Sequence, residues 1–330
     1  MRAPGFWWSS PGLAARLLQP ASLLYGAIAA RRMGRPGEPS PLSTVCVGNV
    51  TLGGAGKTPT AIHLAGLLRN MGRNVAFLSR GYGGRLAGPV TVDPERHAAS
   101  DVGDEPLLLA RYGRAIVARD RPAGARLAAS LGADALVMDD GLQNASLAKK
   151  FALAVFDGAA GSGNGLTFPA GPLRAPMRAQ WPAIDAVLVI GAGEPGERVA
   201  AEARSRGLPT FRGELRPDPV AAAALSGRRV LAFAGIGRPE KFFDTLRSVG
   251  ANVAETAAFP DHHPYAVGEI AGLRDRAKAA DLALVTTEKD AVRIAGGPEP
   301  LAGILTLPVA LSLTEPDAFA QLLAERLPPG

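Results

Sequence analysis

A glycine-rich stretch that ends in Gly-Lys-Thr is the part of this sequence whose chemistry is most clearly specified. The apolar residues 45–47 precede it, and a helical pattern from Pro59 to about Met71 follows it. Strand, glycine-rich loop and helix in this order bring backbone N–H groups and a helix N-terminus to the phosphates of a nucleotide. Lys57 would reach the terminal phosphates, and the Thr58 hydroxyl would hold Mg²⁺. The stretch therefore predicts a nucleoside triphosphate site.

The glycine-rich stretch departs from the usual phosphate-loop pattern at one position. The first glycine of that pattern, five residues before Gly56, is Thr51 here. We interpret the stretch as a variant phosphate loop, and a purely structural turn is the alternative. The residues expected around the phosphates are Thr51, Gly53, Gly54, Ala55, Gly56, Lys57 and Thr58.

Two adjacent acids follow the apolar run 135–138 and supply the partner that a phosphate loop needs. Asp139 and Asp140 stand where the predicted strand ends. In a parallel sheet, these acids and the phosphate loop emerge at the same edge, where a carboxylate can hold the metal ion and its water shell. We therefore assign Mg²⁺ to Thr58, Asp139 and Asp140. A turn favoured by the Asp-Gly dipeptide is the alternative.

Two further segments carry groups that could move protons. Asp104 precedes the helical run 107–110, and His262 and His263 are adjacent in a polar loop. Acids just before a helix usually cap it, so residue type and position alone leave capping and catalysis both open for Asp104. The histidines are candidates for proton transfer or for a capping role. No further Cys/His set accompanies them, which disfavours a metal site.

Apolar runs of strand length alternate with helical runs through the first part of the chain. The predicted strands after the phosphate loop are 75–79, 115–118, 135–138, 152–157 and 185–190. This alternation predicts an α/β layered fold with a largely parallel sheet.

A chain of 330 residues is long enough for two domains. Residues 211–219 form a short segment that contains prolines and is typical of an interdomain strand or linker. A new apolar strand begins at 229. We therefore predict three parts. Residues 1–35 form a membrane-associating helical segment, 36–216 a P-loop NTPase-type three-layer domain, and 217–330 a smaller α/β domain.

The composition argues against nucleic-acid binding and against an internal disulfide. The net charge of +6 comes from 36 basic and 30 acidic residues, but aromatic residues are only 5% and do not interleave with a basic stretch. We therefore predict no nucleic-acid partner. No obligate protein partner is predicted either. Cys46 is the single cysteine, so the chain cannot form an internal disulfide, which fits a reducing cytosol.

The first 35 residues have the composition of a helix at a membrane surface. Trp7 and Trp8 precede aliphatic runs that end in Arg31 and Arg32. Aromatic and arginine side chains beside apolar residues are typical of interfacial helices. The uninterrupted runs are shorter than the ~20 residues of a spanning helix. A signal peptide and a helix packed on the protein's own core are the alternatives.

Eight motifs occur in order along nearly the whole chain. They are GNVTLGGAGKTP at 48–59, SRGYG at 79–83, GDEP at 103–106, DDGLQ at 139–143, PAGPLR at 169–174, AGI at 234–236, DHH at 261–263 and TEKD at 287–290. This ordered set resembles the tetraacyldisaccharide 4'-kinases, the lipid A 4'-kinases of Gram-negative bacteria. The phosphate loop alone would be common to many NTPases.

The resemblance implies an activity, a substrate and a location. Members phosphorylate the 4'-hydroxyl of an acylated glucosamine disaccharide 1-phosphate with MgATP, which gives lipid IVA. We therefore expect ATP and Mg²⁺ as cofactors, and attachment to the cytoplasmic face of the inner membrane, either peripherally or by a single N-terminal anchor.

The resemblance also implies roles for individual residues. Asp104 becomes the expected base, with His262 as its partner, and Lys57 acts with Mg²⁺ on the transferred phosphoryl group. Since His262 belongs to the second predicted domain, domain closure is expected for turnover. The weaker candidates for substrate binding are Arg80, Tyr82, Glu105, Arg119, Arg121, Gln143, Arg174 and His263.

Two positions bear on how far the resemblance extends: one departs from the family pattern, and one distinguishes the chain from another class of ATPase. The family commonly has Glu after the Pro-Leu-Arg turn, whereas this chain has Ala175, so no carboxylate role is assigned there. The main alternative function is a membrane-associated P-loop ATPase of the partitioning or targeting type. Those ATPases carry an additional Lys just before Gly-Gly, where this chain has Leu52.

Overall fold

The computed structural model describes residues 4–295 and 301–327 of the chain. Its strands are β1 (Ser43–Gly48), β2 (Val75–Ser79), β3 (Val90–Thr91), β4 (Ala115–Val117), β5 (Ala135–Asp139), β6 (Phe151–Asp157), β7 (Ala186–Ile190), β8 (Thr210–Pro217), β9 (Arg229–Ala234), β10 (Asn252–Ala258), β11 (Ala283–Thr286), β12 (Ile304–Thr306) and β13 (Val309–Leu313). Its α-helices are α1 (Leu13–Met33), α2 (Lys57–Asn70), α3 (Ala99–Val102), α4 (Asp104–Ala110), α5 (Arg121–Ser130), α6 (Met177–Gln180), α7 (Glu194–Ser205), α8 (Pro219–Leu225), α9 (Pro239–Ser248), α10 (Val267–Ala279), α11 (Glu288–Ala295) and α12 (Pro316–Arg326). Two 3-10 helices span Gly5–Trp8 and Trp181–Ala183.

Nine strands form one large sheet in the order β13-β8-β7-β6-β1-β5-β2-β4-β3. Neighbouring strands run parallel except at the two edges, where β13 is antiparallel to β8 and β3 to β4. The prediction of a largely parallel sheet is confirmed. Strand β1 pairs with β5 in a register that sets Val47 beside Asp139. Because parallel strands end at the same edge, the loop after β1 and the acids at the end of β5 are neighbours.

The large sheet is covered by helices on both faces. Successive side chains of a strand point to opposite faces. Val45 and Val47 therefore join the core formed with α2, α4 and α12, whereas Cys46 joins the core formed with α5 and α7. Strands buried on both faces consist of nearly continuous apolar runs. The result is the predicted three-layer α/β architecture.

Four parallel strands form a second, smaller sheet in the order β10-β9-β11-β12. Phe242, Phe243 and Leu246 of α9 pack on one face of this sheet. Ile270 and Leu273 of α10 pack on the other face. The predicted helix near 240–249 and its apolar side are confirmed, and so is the smaller α/β unit.

The chain crosses between the two sheets after β8 and again before β13. In α12, Phe319 is fully buried and meets Phe211 of β8 edge to face, with ring centroids 4.9 Å apart. Residues 309–326 therefore pack with the large sheet, although the sequence placed them in the second part. The division at residues 35 and 216 stays a proposal about folding units, which sheet pairing alone does not define.

The N-terminal helix α1 is continuous through Pro20, where the apolar sequence is interrupted. Its buried residues are small, namely Ala15, Ser22 and Gly26. The Ser22 hydroxyl donates a 2.7 Å hydrogen bond to the carbonyl oxygen of Thr167. Small side chains on one side of the helix let it lie close to the protein body.

The opposite side of α1 is apolar and exposed. Leu13, Leu17, Leu24 and Ile28 are all exposed and share one face of the helix. Among the described residues, α1 is the one helix long and apolar enough to cross a bilayer, by length and composition. A core helix of a soluble protein and a signal sequence can meet the same test. Only 17% of its most apolar window is buried, which disfavours a core helix.

Candidate active site

The phosphate loop follows β1 and turns directly into α2, two residues earlier than the pattern predicted. Asn49 Nδ2 donates a 3.0 Å hydrogen bond to Gly53 O, which closes the loop on itself. Gly56 has a φ of 87°, and a Cβ there would lie 2.7 Å from Ile190 Cδ1. A glycine is therefore required at this position by both backbone and packing. A Cβ built on Gly53 or Gly54 would have no atom of the described residues within 4 Å, so the loop is open to a ligand.

Thr51, the variant position of the loop, is held in an extended pairing. It forms an antiparallel bridge with Leu173, and Leu52 N donates to Pro172 O at 2.8 Å. Arg174 Nε donates to Thr51 O at 2.9 Å. A β-branched residue suits extended backbone, so a threonine is accommodated where a glycine is usual. The bridge joins the phosphate loop to the proline-rich loop that carries Arg174.

Thr58 and Asp139 meet where α2 begins and β5 ends. Thr58 Oγ1 donates a 3.0 Å hydrogen bond to Asp139 Oδ2. Asp139 Oδ1 is buried and has no hydrogen-bond partner among the described residues. Burial raises the pKa of this carboxyl, with a further contribution from the charge of Glu105 and partial opposition from Lys57. A bound cation would satisfy Oδ1 and favour the ionised form.

Thr58 and Asp139 suit Mg²⁺ better than they suit a metal ion that is held by protein ligands alone. Within the described part of the chain, no group of three or more His, Cys, Asp or Glu side chains is arranged to hold a metal ion. Mg²⁺ usually takes one or two carboxylates and completes its shell with water and substrate phosphates. The Thr58 hydroxyl and the unpaired oxygen of Asp139 match that requirement.

Asp140 has a different environment from its neighbour. Arg174 Nη1 donates to Asp140 Oδ1 at 2.8 Å, and Lys57 Nζ lies 3.8 Å from the same oxygen. Burial would raise the pKa of Asp140, but the charges of Lys57 and Arg174 outweigh it and lower the pKa. Asp140 therefore stays ionised and holds two cationic side chains beside the phosphate loop.

Asp104 and His262 come together from different sheets. Asp104 is the first residue of α4. Gly103, which precedes it, has a φ of 89°, and a Cβ built on Gly103 would lie only 2.5 Å from Tyr82 O. His262 lies in the loop after β10. Its Nδ1 is 2.9 Å from Asp104 Oδ2. The pairing expected from the resemblance is therefore present in the geometry.

The electrostatics of Asp104 keep it ionised. Burial raises the pKa of this carboxyl, but the hydrogen bond from His262 and the charges of Lys289 and Arg293 hold it well below its usual range. An ionised carboxylate only accepts hydrogen bonds, so His262 Nδ1 carries the hydrogen. In the neutral ring, Nε2 is then the nitrogen that can accept a proton.

One cleft of about 1650 Å³ joins these groups. The phosphate loop, Asp139, Asp140 and His262 line it, while Asp104 does not. Helix α1 contributes Arg32 to the same cleft. The arrangement can hold a polyphosphate at the phosphate loop and presents an imidazole to the same cleft.

Most of the predicted substrate-binding residues line this cleft. They are Arg80, Tyr82, Glu105, Arg121, Gln143 and Arg174. Gln143 Nε2 donates to Asn49 O at 2.8 Å and so supports the phosphate loop. Arg121 is fully buried, and within the part of the chain that the structure describes its Nε has no hydrogen-bond partner.

Two predicted residues lie outside the cleft. Arg119 Nη2 donates to Gly84 O at 3.2 Å and supports the loop after β2. His263 Nε2 is 2.7 Å from Glu269 Oε2, at the start of α10. The structure therefore does not bring these two side chains to the cationic and acidic groups of the site.

Sequence reasoning missed the ion pairs that join the two sheets. Arg238 and Lys241 of the small-sheet unit both bond Asp157 at the end of β6, and Arg238 Nη2 also donates to Gly54 O at 3.1 Å. Lys289 bonds Glu105 at 3.0 Å. The TEKD motif and the acid ending strand 152–157 were visible signals, but local spacing does not show which charges meet.

Comparison with known proteins assigns the chain to a family. The family model of tetraacyldisaccharide-1-P 4'-kinase matches residues 14–328. A tetraacyldisaccharide 4'-kinase of Methylobacterium nodulans is 63% identical over 328 residues, which cover 99% of this chain and 96% of the relative. One of Methylorubrum extorquens is 57% identical over 329 residues, covering 99% of each chain.

A solved structure supports the fold. The crystal structure of LpxK from Aquifex aeolicus, in complex with ATP, matches with a TM-score of 0.73 and 24% identity, covering 95% of this chain and 99% of that one. These matches do not favour a partitioning or targeting ATPase. They support phosphorylation of the lipid A precursor, and the chain belongs to the tetraacyldisaccharide-1-P 4'-kinase family.

Proposed function

We propose that this chain uses MgATP to phosphorylate the 4'-hydroxyl of tetraacyldisaccharide 1-phosphate, giving the 1,4'-bisphosphate lipid IVA, at the cytoplasmic face of the inner membrane. The observation that carries the proposal is a single cleft into which the phosphate loop, the Asp139–Asp140 pair and His262 all open. A phosphoryl donor and a sugar hydroxyl can therefore meet without leaving the cleft.

The donor phosphates would lie along residues 51–58. The Aquifex aeolicus relative was solved in complex with ATP, which supports ATP as the donor. Thr58, Asp139 and Asp140 would hold Mg²⁺ directly or through water, and the bound ion supplies charge neutralisation at the transferred phosphoryl group. Lys57 adds a fixed positive charge at the same place, and Asp140 keeps its ammonium group oriented.

The dyad of Asp104 and His262 would take up the proton of the sugar hydroxyl. A hydroxyl is a weak nucleophile, so a positioned proton acceptor assists its attack on phosphorus. In this conformation His262 is the member that lines the cleft, and the carboxylate of Asp104 is occupied by hydrogen bonds. We therefore infer that His262 Nε2 receives the proton, in place of the Asp104 carboxylate that the resemblance implied as the base. Asp104 then orients the ring and stabilises its charge.

The N-terminal helix would place this chemistry at the lipid surface. Its exposed leucines suit the acyl region of a bilayer, and Arg32 and Arg35 at its end line the cleft. An acylated acceptor could keep its chains in the membrane while its sugar enters the cleft. This supports attachment at the inner membrane, where the lipid A precursor is expected.

Transfer to the lipid can be measured directly. The purified chain is incubated in phospholipid–detergent micelles with Mg²⁺, γ-labelled ATP and tetraacyldisaccharide 1-phosphate. We expect one labelled bisphosphate lipid, and no label on an acceptor analogue that lacks the 4'-hydroxyl. Release of labelled inorganic phosphate at the same rate with and without acceptor, and no labelled lipid, would identify an ATPase and contradict the proposal.

A further inference from the structure

The TEKD motif has no role in the phosphate loop, the metal site or the proton-transfer dyad, although it leads into the helix that packs on Asp104. Helix α11 begins at Glu288 and packs against α4, which begins at Asp104. Its charged side chains reach across the boundary between the two sheets. Arg293, six residues after Thr287, makes the closest of these contacts with the dyad.

Arg293 binds the same carboxylate oxygen that His262 binds. Arg293 Nε donates to Asp104 Oδ2 at 2.8 Å, and the arginine side chain is 4% exposed. The remaining oxygen of Asp104, Oδ1, accepts from the backbone N–H of Glu105 at 2.8 Å. The rotation of the carboxylate is thus defined at both oxygens.

Asp290 in turn defines the position of Arg293. Arg293 Nη1 donates to Asp290 Oδ1 at 2.8 Å, and Asp290 is fully buried. Asp290 also accepts hydrogen bonds from Gly235 N at 3.0 Å and from Tyr265 OH at 2.8 Å. Because Gly235 follows β9, this carboxylate is anchored to the frame of the small sheet.

These contacts form a continuous buried chain from Asp290 through Arg293 and Asp104 to His262. Burying charged groups carries a large desolvation cost, and well-packed apolar side chains often give equal or better stability. A stabilising role alone therefore does not account for a chain of charges at this place. The chain ends on the imidazole that lines the cleft.

We propose that Arg293, held in place by Asp290, is a positioning residue for phosphoryl transfer: it sets the rotation of the Asp104 carboxylate and thereby the orientation of His262. This inference rests on the proposed kinase function. Arg293 does not line the main cleft and acts through Asp104. Docking of the small sheet would then supply both the imidazole and the group that aligns its partner.

Other charged groups also face the dyad and set its proton affinity. Glu105 on α4 and Asp261 beside His262 are negative, whereas Lys289 on α11 is positive, with its Nζ 4.0 Å from Asp104 Oδ2. The Tyr82 ring lies 5.3 Å from the His262 ring, centroid to centroid. Removal of Arg293 leaves these groups in place, so the dyad gains net negative surroundings and binds a proton more tightly.

The test compares three variants of the full-length chain. Arg293→Gln removes the charge, Arg293→Lys keeps the charge without the planar fork, and Val292→Ala is the matched control. Val292 is buried on the same helix and packs in the core of the large sheet, and its apolar side chain cannot hydrogen-bond to the dyad. The measurements are kcat and KM for ATP across pH, thermal unfolding, and the ¹H–¹⁵N spectrum of the His262 ring.

We expect R293Q to lower kcat about ten- to a hundredfold, the range for losing a hydrogen bond to a charged group. The KM for ATP should stay within about twofold, because the phosphate loop is untouched. The acidic limb of the pH–rate profile should move to higher pH by about one unit, a tenfold change in proton affinity. R293K should lose less activity, and V292A should lower the melting temperature without moving the limb.

Several outcomes would overturn the positioning role. An R293Q enzyme with the wild-type pH profile and an unchanged His262 spectrum shows that Arg293 only stabilises the fold. The same holds if R293Q and V292A lose activity in proportion to their lost stability. If R293Q fails to fold, the R293K profile decides by the same criteria. Failure of the proposed kinase function has a different signature, because wild-type enzyme would then give no labelled lipid.

Discussion

The imidazole of His262 and the carboxylate of Asp104 meet at 2.9 Å although 158 positions separate them in the sequence. Asp104 begins α4 beside the large sheet, and His262 lies in a loop of the small-sheet unit. The pair therefore exists only where the two sheets are docked. Any motion that separates them would also separate the proposed proton acceptor from the phosphate loop.

Removing either member of the dyad should slow phosphoryl transfer. We expect His262→Ala and Asp104→Asn each to lower kcat by about 10²- to 10³-fold, within the range of general-base catalysis. Because both act on one proton, the double variant should be little worse than the poorer single variant. His97→Ala is the matched control and should stay within about twofold of wild type, since the His97 ring accepts a hydrogen bond from Asp93 N and does not line the cleft. Multiplicative losses in the double variant would contradict a shared dyad.

Lys57→Ala should abolish transfer while the fold remains. Lys57 lies 3.8 Å from Asp140, and we expect its charge to act on the terminal phosphates of the donor. The assay is lipid labelling, with circular dichroism and thermal unfolding to check the fold. Lys278→Ala, an exposed lysine of α10, is the control for loss of one positive charge. Turnover near the wild-type level in K57A would exclude the assigned role of the phosphate loop.

Asp139→Asn should stabilise the ligand-free protein and inactivate it. Burial raises the pKa of Asp139 above 3.8, so the folded chain holds this proton more tightly than the unfolded chain. The stability contributed by protonation is then present at low pH and is lost as pH rises from about 4 through the raised pKa. Melting temperatures measured from pH 4 to pH 8 without Mg²⁺ should show a D139N advantage that grows with pH. An advantage independent of pH would refute this interpretation, whereas loss of Mg²⁺-dependent labelling is expected at every pH.

The exposed face of α1 should carry membrane attachment. Leu17 and Leu24 are 73% and 67% exposed, and a fully buried leucine contributes about 1.5–3 kcal/mol. We expect Leu17→Gln combined with Leu24→Gln to weaken vesicle binding at least about tenfold in flotation assays, and deletion of residues 1–35 to release the protein. Val220→Gln, at a 77% exposed residue on α8, is the matched control. Unchanged flotation of the deletion variant would rule out this attachment.

The ion pairs of Asp157 should help to hold the small-sheet unit against the phosphate loop. Burial raises the pKa of Asp157, but bonds from Lys241 and Arg238 outweigh it and lower the pKa. Since both partners are partly exposed, we expect Asp157→Asn to raise the KM for ATP only about two- to fivefold. The wild-type KM should also rise with salt, and that of D157N less so. Asp244→Asn is the control, because Asp244 forms an ion pair with Arg247 within α9, and an equal effect there would contradict the assignment.

Much of the large sheet and of its phosphate-binding edge was predictable from the sequence. Strands buried on both faces must be apolar throughout, so runs such as 75–79 and 152–157 were visible without any partner strand. The glycines and Gly-Lys-Thr of the phosphate loop act through the local backbone, and Asp139 follows a strand that must end at the same edge. Local sequence therefore determined the nucleotide end of the cleft.

Only the tertiary structure decided how the second half of the site is built. Whether Asp104 only caps a helix or also hydrogen-bonds to His262 depends on how the two sheets dock. The sequence around Asp104 would be the same in either case. The chain has 36 basic residues, and only the tertiary structure shows that Arg238 pairs with Asp157 and Arg293 with Asp104. Contacts between residues far apart in sequence follow from how the sheets pack, and that packing is the sum of many weak apolar contacts with no local signature. The sequence determined which chemical groups the chain carries and where its strands end, whereas the tertiary structure decided which of those groups touch.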